Sequence, residues 1–410
     1  MGEQIIQQIL PSQAEQSEAI QCPCCSFAYS KWDFFLPTKV VIANDEQSGG
    51  EVIVSKSPFD ALYELTEIAR IQEMELHRHT CTTTYQTTTK ESNINSNSNI
   101  IYQMVDTHAH PHLNTDRIED YNNNSSASKS RNISTFPLHH LNLLSLTCAV
   151  AEADWQSCLT YASTHAPSVI PALGVHPWYV MGSSDGWLNK LETLLLEHPS
   201  AFVGEIGLCK CARELRHHPV GKQAVLQRQR DSFEQQMRLA AKLRRPVTVH
   251  CVQQMGPMME ILKGILKEAT NGNIGDPISC FPPAIAFHSF TGVSDHVKRI
   301  LELEEALYDH IKARPEERPP ICYFGFSHLV NFIMCSRSSE KSARKVRDAI
   351  RSVPLDRILA ESDVPTSEDM RLGTAGSIAF IASVREMSLD CVAKLTAVNG
   401  LTFFRSLGRI

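Results

Sequence analysis

Two histidines at alternate positions, His108 and His110 in Val105-Asp106-Thr107-His108-Ala109-His110, close a short apolar run that starts at Ile100. Alternate side chains on a β-strand share one face, so both imidazoles can point at one spot. Neutral imidazoles suit a divalent metal, although an isolated H-x-H pair can equally be incidental. The motif gains weight because polar, metal-capable residues recur at the ends of later apolar runs. His176 ends Gly174-Val175-His176, Glu205 lies in Gly204-Glu205-Ile206-Gly207, and His250 ends Val249-His250. His288 follows Phe287, and Asp363 follows Glu361-Ser362. His108, His110, His250 and His288 with Glu205 and Asp363 are too many ligands for one tetrahedral ion. They fit a two-metal centre with a carboxylate bridging ions about 3.5–4 Å apart. Such a centre can make hydroxide from water and hold both attacking and leaving oxygens, as phosphate-ester hydrolysis requires.

The elements that must carry these residues follow a regular beat. Strand candidates are 101–108, 145–151, 168–175, 201–207, 246–252, 283–289, 321–326 and 357–362. Helically patterned segments lie between most of them: Asp154 to Thr164, Trp187 to Leu196, Gln223 to Leu243, Met258 to Ala269, Ser294 to Leu307 and Ser339 to Ser352. The expected fold is an α/β (β/α)8 TIM barrel over residues 101–410, whose reactive residues sit at the carboxyl ends of the strands. Residues 1–100 read as an N-terminal extension. Ser57-Pro58-Phe59-Asp60 starts one amphipathic helix reaching about residue 78. Thr82 to Asn99 is a polar linker, and Tyr121 to Ser134 is a second low-complexity insert. Cys22-Pro23-Cys24-Cys25 lacks the partners that would complete a zinc site and reads as incidental thiols.

Bulk composition excludes several classes. With 42% hydrophobic and 20% charged residues among 410, the chain is an ordinary globular protein. A formal net charge of −6 argues against a long-range field that gathers nucleic acid, though bound ions could supply positive charge locally. The 13 cysteines, several inside strand-like runs, fit reduced thiols better than a disulfide framework. No apolar run is long enough to span a membrane, and the first residues carry no signal-peptide pattern. The expected compartment is cytoplasmic, with a nuclear location as the alternative.

Taken together, Asp106-Thr107-His108-Ala109-His110, Gly174-Val175-His176-Pro177, Gly204-Glu205-Ile206-Gly207-Leu208, Val249-His250-Cys251, His288-Ser289-Phe290-Thr291-Gly292 and Glu361-Ser362-Asp363-Val364-Pro365 resemble the signature blocks of the TatD family of metal-dependent deoxyribonucleases. Val392-Ala393-Lys394-Leu395 to Asn399 with Phe403-Phe404 resembles that family's closing helix. The match runs in order from about residue 102 to the end, and residues 1–100 take no part. The resemblance implies a hydrolase of the amidohydrolase-like barrel type. It implies His108, His110 and Asp363 on one ion, Glu205 as the bridge, and His250 and His288 on the other. Asp363 would accept the proton of the attacking water, and His176 would touch substrate from the pocket edge. The activity implied is a 3′–5′ exonuclease acting on DNA ends or single strands. Mg²⁺ is implied by the nuclease chemistry, while the histidine-rich set equally accepts Zn²⁺ or Mn²⁺.

Two positions depart from the family pattern. Cys209 stands where aspartate usually follows the glutamate block, and Val252 where arginine often follows the fifth-strand histidine. Neither removes a metal ligand; both bear on the residues around the ligands. The segments around them look closer to a eukaryotic TatD-related branch. Lys210, Arg213, Arg216, His217, His218 and Lys222, after the fourth strand, either contact a phosphate backbone or form a solvated loop. Lys242-Leu243-Arg244-Arg245 precedes a strand and belongs to the far end of the barrel. No stacking platform of interleaved aromatics is visible. Two other classes stay open: an amidohydrolase-type enzyme acting on a small molecule, and a weakly active interaction protein that keeps the barrel.

Overall fold

The strand-forming runs are apolar on both faces, the pattern of a parallel sheet covered by helices outside and packed on itself inside. The computed structural model describes residues 19–21, 28–30, 104–114, 142–212, 214–271, 277–314, 318–336 and 338–407. The expected helix at 57–78, the linker, the insert at Tyr121 to Ser134 and Cys22 to Cys25 lie outside the described residues. A two-stranded antiparallel ribbon pairs Ala19–Gln21 with Ala28–Ser30.

Eight parallel strands form the barrel: β1 (Met104–Ala109), β2 (Leu143–Cys148), β3 (Val169–Leu173), β4 (Phe202–Cys209), β5 (Val247–Val252), β6 (Ile285–Phe287), β7 (Cys322–Ser327) and β8 (Ile358–Glu361). Each pairs with the next in sequence order. Just past the ends of β8 and β1, Asp363 N–H donates to His108 O (3.0 Å) and His110 N–H to Val364 O (2.9 Å), drawing the first and last strands together. The TIM-barrel expectation therefore holds.

The helices are α1 (Trp155–Thr164), α2 (Trp187–Glu197), α3 (Glu214–His217), α4 (Lys222–Lys242), α5 (Met255–Asn271), α6 (Ser294–His310), α7 (Glu340–Ser352), α8 (Ser367–Arg385) and α9 (Leu389–Phe404). Their apolar stripes cover the outside of the strands, while Val105, Leu146, Phe202, Tyr323 and Leu359 belong to a separate inner core. Phe403 and Phe404 of α9 complete that inner core. Phe202 meets them edge-on at 5.5 and 5.7 Å, so the last helix plugs the barrel at the amino end of the strands. Arg244 and Arg245 lie at that same end, where Arg245 donates to Leu195 O (3.0 Å) and Arg244 to Phe281 O (2.8 Å). A π-helical segment, His328–Ser336, stands between β7 and α7 and is not signalled by the hydrophobic pattern. No described helix is long and apolar enough to cross a membrane. Among the described cysteines eight are free thiols, whereas Cys391 is in a disulfide, a departure from fully reduced cysteines.

One buried ion pair ties the outer layer to the sheet. Glu304 of α6, 2% exposed, accepts from the backbone N–H groups of Ile321 (3.1 Å) and Cys322 (2.6 Å) and from Arg357 (2.6 Å). Removing the carboxylate strands two backbone donors and a largely buried guanidinium. Glu304→Ala is expected to cost about 3–5 kcal/mol, read as a lower urea midpoint by circular dichroism. An unchanged midpoint would show that the clamp contributes nothing.

Candidate metal centre

The carboxyl ends of the strands bring all seven of the predicted residues to one point. Glu205, 3% exposed, is at the centre. Its Oε2 faces His110 Nε2 (3.3 Å) and His108 Nε2 (3.4 Å). Its Oε1 faces His288 Nε2 (2.6 Å), His250 Nδ1 (3.0 Å) and His176 Nε2 (3.3 Å). Asp363 Oδ1 closes the first side, 3.7 Å from His110 Nε2 and 4.0 Å from His108 Nε2. The sets His108–His110–Glu205, His108–His288–Asp363 and His176–Glu205–His250 each offer ligand atoms close enough to share an ion.

Local structure explains why these side chains converge. Gly207, with φ +150°, pairs with His250 across β4 and β5. A Cβ there would meet the His250 carbonyl oxygen at 1.9 Å, so this approach requires glycine. Asp363 (φ 56°) and Ser289 (φ 39°) are in the left-handed region, which non-glycine residues adopt at some cost, often at functional sites. They hold each other: Ser289 Oγ donates to Asp363 Oδ2 (2.7 Å).

The ring nitrogens turned away from Glu205 show what each imidazole can do. His110 Nδ1 donates to Cys148 O (2.6 Å), which leaves Nε2 free to face an ion. His108 Nδ1 lies 2.8 Å from Thr248 Oγ1, and its ring stacks on His288 at 3.8 Å. The nitrogens that face Glu205 also face one another, His108 to His110 at 3.1 Å and His250 to His288 at 3.2 Å. Such crowding suits a cation between them. His176 differs. Its Nδ1 accepts the backbone N–H of Trp178 (3.2 Å), so in the neutral ring Nε2 carries the proton. His176 thus points a donor, not a lone pair, into the centre.

Titration divides the metal-free imidazoles differently. Burial lowers His176 to about 4 and His108 to about 3, so both stay neutral. Burial would lower His110 and His250 too, but the Glu205 carboxylate, with the Cys209 thiol beside His250, raises them to about 9 and about 10. Burial would raise Glu205, yet the surrounding imidazoles hold it well below the usual carboxylate range. Asp363 is likewise held below its usual value, against burial, by His288, His108 and His110.

Several supporting residues were not singled out from the sequence. Asp106, fully buried, accepts from the backbone N–H groups of His108 (3.2 Å) and Ser362 (2.9 Å) and from Thr374 Oγ1 (3.1 Å). Glu361 accepts the Ser289 N–H beneath Asp363, and burial pushes its carboxyl well up, so it stays protonated. Gly325 leaves the room that Glu361 fills. Gln236 of α4 grips Val175 through both N–H (2.7 Å) and C=O (3.2 Å), and Gln229, one heptad earlier, receives Cys209 N–H (3.0 Å) and donates to Pro177 O (3.1 Å). Two buried glutamines on an amphipathic helix were the available signal. Cys209 Sγ accepts the Trp178 indole N–H (3.2 Å) and contacts the His250 ring. His112, assigned no role from the sequence, pairs with Asp154 (3.2 Å), which caps the turn after β2. Lys210, Arg216, His217 and Lys222 are exposed on the active-site side.

Known proteins share this arrangement of sequence blocks and barrel. The family described as "TatD related DNase" matches residues 105–405. Cut9-interacting protein scn1 of Schizosaccharomyces pombe is 24% identical over 268 residues, covering 49% of this chain and 73% of that protein. The human protein described as 3'-5' RNA nuclease TATDN2 is 25% identical over 273 residues, covering 64% of this chain but only 28% of that protein. The 3'-5' ssDNA/RNA exonuclease TatD of Pantoea ananatis is 24% identical over 218 residues, covering 53% of this chain and 66% of that protein. The crystal structure of YJJV, a TatD homologue from Escherichia coli, superposes with a TM-score of 0.53 at 19% identity, covering 75% of this chain and 99% of that one. With the family match extending through every strand of the barrel, the chain belongs to the TatD-related DNase family of metal-dependent hydrolases.

Proposed function

We propose that this protein is a phosphodiesterase that removes nucleotides from the 3′ ends of single-stranded DNA with two divalent ions. The observation that carries this reading is the division of Glu205: one oxygen faces His108 and His110, the other His250, His288 and the donor nitrogen of His176. A carboxylate whose two oxygens face separate histidine groups is the arrangement expected of a bridging ligand. By this reading His108, His110 and Asp363 would hold one ion, His250 and His288 another, and Glu205 would serve both. The nucleic-acid substrate is supported by relatives named as RNA and ssDNA/RNA nucleases. Mg²⁺ fits the nuclease chemistry, and the imidazole-rich set also suits Zn²⁺ or Mn²⁺.

The ions would supply Lewis acidity that makes water nucleophilic near neutral pH and neutralises the phosphoryl group. The chain's own residues do the rest. Asp363, ionised and steadied by Ser289, accepts the proton of the attacking water. His176 donates from Nε2 to a phosphate oxygen, with its tautomer set by the Trp178 N–H. Neutral Glu361 lies under the loop that carries Ser289 and adds no further negative charge beside Asp363.

The direct test is release of nucleotide from 3′-labelled single-stranded DNA, with an RNA strand in parallel, under Mg²⁺, Mn²⁺ or Zn²⁺. Asp363→Asn should lower kcat by about 10²–10⁴-fold, the usual worth of a positioned general base. Glu205→Ala should abolish both turnover and metal binding by calorimetry. Wild-type protein that binds metal yet leaves both strands intact would end the nuclease reading. A second expectation concerns pH. In the metal-free centre His110 and His250 keep protons until about pH 9 and about pH 10, and an ion must displace them. Metal affinity should therefore rise from pH 6 to pH 9, with protons released on loading, seen as a buffer-dependent heat of binding. Affinity that is flat with pH would contradict it. Third, His176→Asn should retain metal but raise KM about 10–150-fold, the loss of one charged hydrogen bond. Loss of metal instead would make His176 a ligand.

A further inference from the structure

Trp178 and Tyr179 follow His176-Pro177 and are 43% and 45% exposed, although the sequence shows no aromatic platform. At a surface, an indole ordinarily buries its ring and offers its N–H to water. Trp178 instead turns its N–H inward to Cys209 Sγ (3.2 Å) while the residue stays 43% exposed. Its ring stands nearly perpendicular to that of His176, with centroids 5.2 Å apart at 78°. His176 in turn touches Glu205 and meets His250 at 4.5 Å, so the indole is the next ring out from the metal centre.

The ring is also fixed in place. Fully buried Gln229 joins the two loops that carry it, receiving Cys209 N–H and donating to Pro177 O. The Tyr179 N–H closes the turn on His176 O (2.9 Å). A partly exposed ring anchored through its N–H costs little conformational entropy when a flat ligand settles on it. Lys210, adjacent to Cys209, is exposed on the neighbouring loop and can meet a phosphate farther along a strand.

We infer that Trp178, flanked by Tyr179, is a stacking subsite for the nucleobase whose phosphate lies in the metal centre. This inference rests on the phosphodiesterase reading. Stacking is tolerant of base identity because every base has a π-face. The subsite therefore explains grip on the terminal nucleotide without sequence preference.

The experiment compares two 3′-labelled single strands that differ only in whether the terminal nucleotide carries a base or is a tetrahydrofuran abasic residue. Wild-type enzyme should cleave the base-bearing end with a kcat/KM about 5–150-fold higher. Trp178→Ala should bring that ratio near one, while Trp178→Phe, which keeps a ring but lacks the N–H, should restore most of it. A wild-type ratio of one, or a ratio unchanged in Trp178→Ala, overturns the subsite. If wild-type protein cleaves neither strand, the nuclease reading has failed, and a binding measurement on the metal-free full chain decides the subsite separately. Trp155 and Trp187 are buried at 3% and 5%, and a dithymidine monophosphate titration of wild type beside Trp178→Ala separates the Trp178 quench from any signal of Trp32. Saturable quenching that Trp178→Ala removes supports stacking; no quenching refutes it.

Discussion

The structure depends on how a buried carboxylate is kept charged. Glu205 is almost fully removed from water, and an isolated ionised carboxylate in such a place would neutralise itself. Here the cost is offset by five imidazoles converging on its two oxygens. That convergence is possible only if five strand ends stop at the same level. The close approach at Gly207 and the grip of Gln236 on Val175 both serve that level. For His110 and His176 one nitrogen serves the centre and the other the scaffold, and the scaffold bond sets the role. A carbonyl behind His110 leaves Nε2 to an ion once its proton is displaced, whereas a backbone N–H behind His176 keeps a proton at the front.

The centre also lies on the barrel's seam. The bonds that draw β8 to β1 involve Asp363, His108 and His110, and Asp106 reinforces them through Ser362 and Thr374. Closing the sheet and placing ligands are thus one event. An unclosed barrel would leave Asp363 without a fixed relation to the first-strand histidines. The protonated Glu361 fits this arrangement: a second ionised carboxylate beside Asp363 would repel it across the seam.

Much of this was legible in the sequence, for a physical reason. A parallel barrel places chemistry at strand ends, so the residue after each apolar run carries information out of proportion to its length. His108, His110, Glu205, His250, His288 and Asp363 could be collected that way, and the structure brings them together. The supporting shell could not be collected so. Asp106 meets Thr374 across 268 positions, Glu361 and Ser289 across 72, and Gln236 and Val175 across 61. No local periodicity encodes such pairs. The π-helical segment at His328–Ser336 was missed because its residues, taken singly, favour nothing irregular. Trp178 and Tyr179 were missed because two adjacent aromatics look like core until their exposure is known.

The departure at Cys209 has a structural consequence. Where the family pattern resembled by this chain has a carboxylate, a thiol receives the Trp178 indole and contacts His250. An ionised carboxylate there would add a second negative group behind an imidazole already facing Glu205, drawing its proton harder toward the scaffold. A thiol is a weaker partner and a softer acceptor. It leaves His250 less firmly polarised while still fixing the indole in orientation. The segment from Gly174 to Tyr179 thus joins two tasks: it sets the tautomer of His176 and, through the same sulfur that touches His250, holds the exposed ring beside it. Ligand polarisation and the outer aromatic face are coupled through one atom, Sγ of Cys209, and a change at that atom reaches both.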